Sequence, residues 1–123
     1  MNRKPFYLIV DKKAVEGALR NYPNNEYIQS VLDGIQNVID NTPKENLGEV
    51  SKKYNLGNHF LDSEENAKRL GSKDREIILC GGFYSNEGSP WDVNTEILDL
   101  ERHGYTNMEV LEEATLVRET LHK

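Results

Sequence analysis

Two stretches of this chain set chemically useful side chains beside backbone that a ligand can approach. In the first, Phe6-Tyr7-Leu8-Ile9-Val10-Asp11, a β-branched and aromatic run ends in a carboxylate. A carboxylate directly after an apolar strand stands where α/β proteins present groups to ligands, and a turn or capping role suits it equally. The second runs from Ile77-Ile78-Leu79-Cys80 through Gly81-Gly82 to Ser89-Pro90-Trp91-Asp92. Consecutive apolar residues at 77–80 read as a strand buried on both faces, which the two glycines end. Ser89 is a good N-cap, Pro90 suits the first helical position, and Asp92 completes a Ser-x-x-Asp helix start. An ionised Asp92 either stabilises that helix through its dipole or serves a ligand. Phe83, Tyr84, Asn86 and Trp91 follow the glycines, and Phe60 lies in a second polar and aromatic segment with Tyr54, Asn55 and His59. Aromatic rings there can stack on a planar ligand while Asn and backbone amides read its edges; the competing role for Phe60 and Trp91 is filling a small core.

Other chemistries find less support. No P-loop, dinucleotide-binding glycine fingerprint, Cys-x-x-Cys or His-Glu-x-x-His pattern is present. Cys80 is the single cysteine, and within an apolar strand it reads as a small buried hydrophobe, not a reactive thiolate. His59, His103 and His122 lie far apart without ligand spacing, and His103 suits the end of a helix. Neither a metal nor a cofactor is expected.

The elements that must hold these residues follow from periodicity. Phe6–Val10 is the first strand, and Lys12–Arg20 has Ala14, Val15, Ala18 and Leu19 on one side of a short helix. From Asn24 or Asn25, Ile28, Val31, Leu32, Ile35, Val38 and Ile39 keep helical spacing as far as Asn41-Thr42-Pro43. Residues 44–58 lack a period and read as a loop with one helical turn around Leu47 and Val50. Ser63 caps a short helix that Gly71 closes. Val93, Ile97 and Leu100 mark a helix stopped at Gly104, Met108 to Leu111 form a third strand, and the tail from Ala114 forms a last helix with Leu116, Val117 and Leu121. Strands alternating with helices predict an α/β fold: a small parallel sheet flanked by helices in a three-layer sandwich.

At 123 residues the chain fits one domain spanning 1–123, able to fold without disulfides or metal. Its 37% hydrophobic and 29% charged composition is that of a soluble protein, and no apolar run approaches the ~20 residues that cross a bilayer. Asn2-Arg3-Lys4-Pro5 and the short run after it do not resemble a secretory signal, so a cytoplasmic location is expected. Twenty-one acidic against fifteen basic residues give a net charge of −6, which argues against a nucleic-acid duplex as partner. So small a sheet leaves edges and faces poorly covered, which predicts a homo-oligomer.

Several of these segments together resemble the isochorismatase-like cysteine hydrolases, the family that includes nicotinamidases. Asp92 to Tyr105, DVNTEILDLERHGY, is similar to the family segment in which a cysteine and valine open a helix running to a Gly-aromatic stop. HFLDSEENAKRLGSKDREIILCGG resembles its aromatic, short helix, apolar strand and glycine, and FYLIVD resembles the strand that delivers its catalytic aspartate. The resemblance therefore implies an isochorismatase-like, Rossmann-like fold with catalytic positions at Asp11, at Lys53, which precedes Phe60 near the family's lysine, and at Asp92. Three departures stand out. Asp92 replaces the nucleophilic cysteine, residues 39–53 are too few for the family's extra strands, and its metal-binding histidines have no counterpart.

A carboxylate is a far poorer acyl acceptor than a thiolate, so the family reaction is not expected in its usual form. The leading expectation is a catalytically degenerate isochorismatase-like protein that binds a small planar or nucleotide-like ligand, or a protein partner, through Phe60, Gly82, Phe83, Tyr84, Asn86 and Trp91. A slow hydrolase of an amide or related bond, using Asp11, Lys53 and Asp92, is the alternative, and a small oligomeric regulatory or inhibitory protein is a third.

Overall fold

The structure is a computed structural model and describes residues 4–51, 59–83 and 93–117. Phe6–Val10 forms β1, followed by α1 (Lys12–Asn21), α2 (Glu26–Asn41), β2 (Leu47–Val50), α3 (Glu64–Leu70), β3 (Ile77–Phe83), α4 (Val93–Arg102) and β4 (Met108–Val117). Short 3-10 turns at Lys44–Asn46 and Phe60–Asp62 lead into β2 and α3. Local signals start the helices where expected. The Asn25 side chain accepts a hydrogen bond from the Ile28 N–H at 3.0 Å, and Ser63 Oγ accepts one from the Asn66 N–H at 3.4 Å.

The strands form one parallel sheet in the order β2-β1-β3-β4. Alternation along β1 splits the core in two. Phe6, Leu8 and Val10 join Ile77, Leu79, Leu70, Val93 and Leu100 beneath α3 and α4, while Ile9 joins Cys80, Val15, Ile28, Val31 and Ile35 beneath α1 and α2. Each fully buried aliphatic side chain contributes about 1.5–3 kcal/mol to holding the layers together. The connection leading to β2 and those leading back toward β4 lie on opposite faces, as a single crossover handedness requires. The fold is thus the expected small three-layer α/β sandwich. Among the described residues no helix is long and apolar enough to cross a membrane.

Three local expectations are corrected. Leu47 to Val50 is a strand, not a helical turn: it pairs with Tyr7–Val10, and Gly48 fits only because it has no side chain. A Cβ on Gly48 would lie 2.6 Å from Phe60 Cε1 and 2.8 Å from Phe6 Cε1. The glycines do not end the strand that begins at Ile77, because β3 continues through Gly81 and Gly82 to Phe83. Ala114 to Val117 is strand, not helix: Ala114 and Leu116 are buried beneath α2, and Thr115 and Leu116 pair with Gly81 and Gly82. The expected helix beyond Val117, with Leu121, lies outside the described residues.

Register slips between Leu79 and Gly81, where β4 advances from Val110 to Thr115. This bulge lies under α2, and a Cβ on Gly34 would come within 2.7 Å of the Glu113 carbonyl oxygen. Among the described residues the outermost strands, β2 and β4, carry the exposed glutamates Glu49 and Glu109, which discourage growth of the sheet through them.

Cys80 is fully buried in β3. Burial first, and the nearby Glu113 second, push its thiol up from 9.0 to about 12. The thiol should therefore resist an aromatic disulfide reagent in the native protein and react stoichiometrically in denaturant, which absorbance would follow. The folded chain also keeps a proton that the unfolded chain releases between pH 9.0 and about 12. Stability from this group therefore falls as pH rises through that window, by at most about 1.4 kcal/mol per pH unit, measurable by urea titration at stepped pH.

Candidate functional site

Parallel α/β sheets open a crevice where successive connections leave adjacent strands in opposite directions. Here that position lies between β1 and β3, since the chain leaves β1 for β2 on one side and leaves β3 for β4 on the other. Asp11 stands at the carboxyl end of β1. It is 6% exposed, and among the described residues it is the one non-glycine with positive φ, at φ 50° and ψ 56°. Its backbone N–H donates to the Val50 carbonyl at 2.7 Å, and its own carbonyl accepts from the Ala14 N–H at 3.0 Å. The end of β2 and the start of α1 therefore hold the residue in a left-handed conformation that costs a non-glycine residue about 1–2 kcal/mol. Asp11 occupies the N-cap position of α1, yet its side chain makes no capping hydrogen bond. The capping role open to it in the sequence is not the one it takes.

Gly81 stands on β3 opposite Val10, beside the end of β1. Its φ is 143°, and a Cβ there would lie 1.9 Å from the Val10 carbonyl oxygen. The glycine is needed for close approach of β3 to β1 at the carboxyl end, not for a turn. Gly82 is buried and pairs with Leu116, and Phe83 is the last residue of β3.

Phe60 takes the core-filling role. It is 2% exposed, its ring centroid lies 5.4 Å from that of Phe6, and it packs between β2 and α4. Lys53, Tyr84, Asn86, Trp91 and Asp92 lie outside the described residues, as do Tyr54, Asn55 and the Ser89-Pro90 helix start.

A second group of titratable side chains gathers under α4. Glu96 is fully buried and Asp99 is 5% exposed; they lie one turn apart on the helix, facing the turn that begins after His59. His59 Nδ1 lies 3.1 Å from Glu96 Oε1, and the Phe60 N–H donates to Glu96 Oε2 at 3.2 Å. Asp62 fixes the approach of His59 by accepting its backbone N–H at 2.8 Å. Asp99 Oδ2 is buried and has no hydrogen-bond partner. His103 Nδ1, at 3.8 Å from that oxygen, is engaged instead by the Asp99 carbonyl at 2.8 Å, the helix-end position expected for His103.

Comparison with protein-family models, curated proteins and solved structures finds no match. A groove of about 460 Å³ also opens at the other end of the sheet, lined in part by Lys4, Pro5, Asn37, Asn41, Asn46 and Glu113. It faces the amino ends of the strands, whereas ligands of open α/β sheets bind beyond the carboxyl ends. The β1–β3 crevice is the stronger candidate.

Proposed function

We propose that this chain is a compact isochorismatase-like protein without the family's nucleophile, and that its β1–β3 crevice binds a small planar ligand. The observation that carries the reading is Asp11: a buried carboxylate, held at a backbone cost at the strand switch, that does not cap the helix it precedes. Strained residues of this kind cluster at functional sites, and a carboxylate so placed can accept hydrogen bonds from a ring nitrogen, amide or hydroxyl.

Isothermal titration against nicotinamide, a pteridine and a nucleoside should give heat with at least one of them, and Asp11→Asn should weaken that binding about tenfold or more. Asp11→Gly, which keeps the left-handed backbone accessible while removing the carboxylate, should lose binding too. Binding undiminished in Asp11→Asn would sink the proposal. No heat from any ligand, with tight capture of a protein, would redirect it to an interaction module.

The burial of Asp11 also favours a second reading, in which its carboxylate acts as general base on water. Lys53 and Asp92 would complete that slow hydrolase of an amide or related bond. Turnover of amide or ester substrates that persisted in Asp11→Asn would exclude it.

A further inference from the structure

We infer that His59, Glu96 and Asp99 form a binding site for a divalent first-row transition metal of the zinc type. One ligand atom from each residue lies within 4.8 Å of the others. The 3.1 Å between His59 Nδ1 and Glu96 Oε1 is close to the separation of two ligands sharing one ion with bonds of about 2.0–2.2 Å.

Electrostatics point the same way. Two carboxylates buried side by side are costly unless positive charge or donors compensate them. Glu96 is provided for by His59 and by the Phe60 N–H, but Asp99 Oδ2 has no hydrogen bond, and the neighbouring His103 ring nitrogen is committed to a carbonyl. A dication among the three side chains supplies what that oxygen lacks. The Phe60 N–H on Glu96 Oε2 would orient that carboxylate as outer hydrogen bonds orient metal ligands elsewhere. An imidazole in the set selects a zinc-type ion over magnesium or calcium, which prefer oxygen alone. The site is distinct from the Asp11 crevice and does not depend on the function proposed for it.

The test uses the whole 123-residue chain, stripped with chelator and titrated calorimetrically with zinc chloride, magnesium chloride serving as control. Wild type should take up one equivalent of zinc with no comparable heat from magnesium. His59→Gln and Asp99→Asn should each weaken zinc binding about 100-fold or more, whereas His103→Gln should leave it within a few-fold of wild type. His59 is partly exposed, so His59→Gln should remain folded by circular dichroism even if a buried α4 variant does not. Cobalt substitution gives an independent readout, since the visible absorption of the cobalt protein should change in His59→Gln. Absence of stoichiometric zinc binding in wild type, wild-type affinity in either His59→Gln or Asp99→Asn, or dependence on His103 in place of His59 would each overturn the assignment.

Discussion

Alanine at position 81 should destabilise the protein by about 4 kcal/mol or more, enough to leave a domain of this size largely unfolded at 37 °C. Two costs coincide there. The backbone φ of 143° is one that side chains rarely adopt, and the new Cβ would stand 1.9 Å from the Val10 carbonyl oxygen and 3.1 Å from the Val10 nitrogen. The obstacle is the backbone of the central strand, which cannot rotate away as a side chain could. Relief requires β1 and β3 to separate at their carboxyl ends, where Val10 pairs with Gly81 and where Asp11 begins. Gly81→Ala should therefore disturb the crevice as well as the fold. Gly17→Ala is the contrasting case: on α1 its Cβ would meet only the end of the Arg20 side chain, at 3.5 Å, and helix propensity should make it more stable by about 0.5–1 kcal/mol. Urea unfolding followed by circular dichroism compares the two. Similar midpoints for Gly81→Ala and wild type would contradict the close packing of the two central strands.

Truncating Phe60 to alanine should cost about 3–5 kcal/mol, the range for emptying an aromatic position in a packed core. The ring is 2% exposed, inclined at 53° to Phe6, and fills the space left by the absent side chain of Gly48. A residue lining an open ligand site would behave differently, with stability kept and affinity lost. Gly48 supplies a sharper check. Gly48→Ala alone should be destabilising, because its Cβ would press on both rings, but less so once Phe60 is already alanine, since that removes the 2.6 Å contact and leaves the Phe6 ring room to move away. A double-mutant cycle by denaturant unfolding should therefore show a coupling of about 1–3 kcal/mol between the positions. Simple additivity would mean that the ring does not occupy that slot.

The contrast between what was legible along the chain and what was not follows the range of the interactions. β1, α1, α2, α3 and α4 were legible because amphipathic spacing and caps such as Asn25 and Ser63 act within a turn or two. Leu47-Gly48-Glu49-Val50 carries too few residues to display a period, and it is a strand because β1 offers it an edge. Gly81-Gly82 has the composition of a turn and Ala114–Val117 that of a helix start, yet both pair within the sheet, since ladder partners distant in sequence outweigh local preference.

The candidate sites divide in the same way. Asp11 stood out as a carboxylate closing an apolar strand, while its left-handed backbone and lack of a capping bond emerge only from the contacts of β2 and α1. Counting histidines could not find the His59 cluster, because two of its three members are acids on an amphipathic helix, with spacing that also suits a solvated face. Their burial beside His59, 37 residues from Glu96 in sequence, is a product of packing α4 against the turn before α3. Local chemistry thus named the elements and one carboxylate, whereas the partners and the charge environment of every buried polar group were decided by which distant surfaces the core brought together.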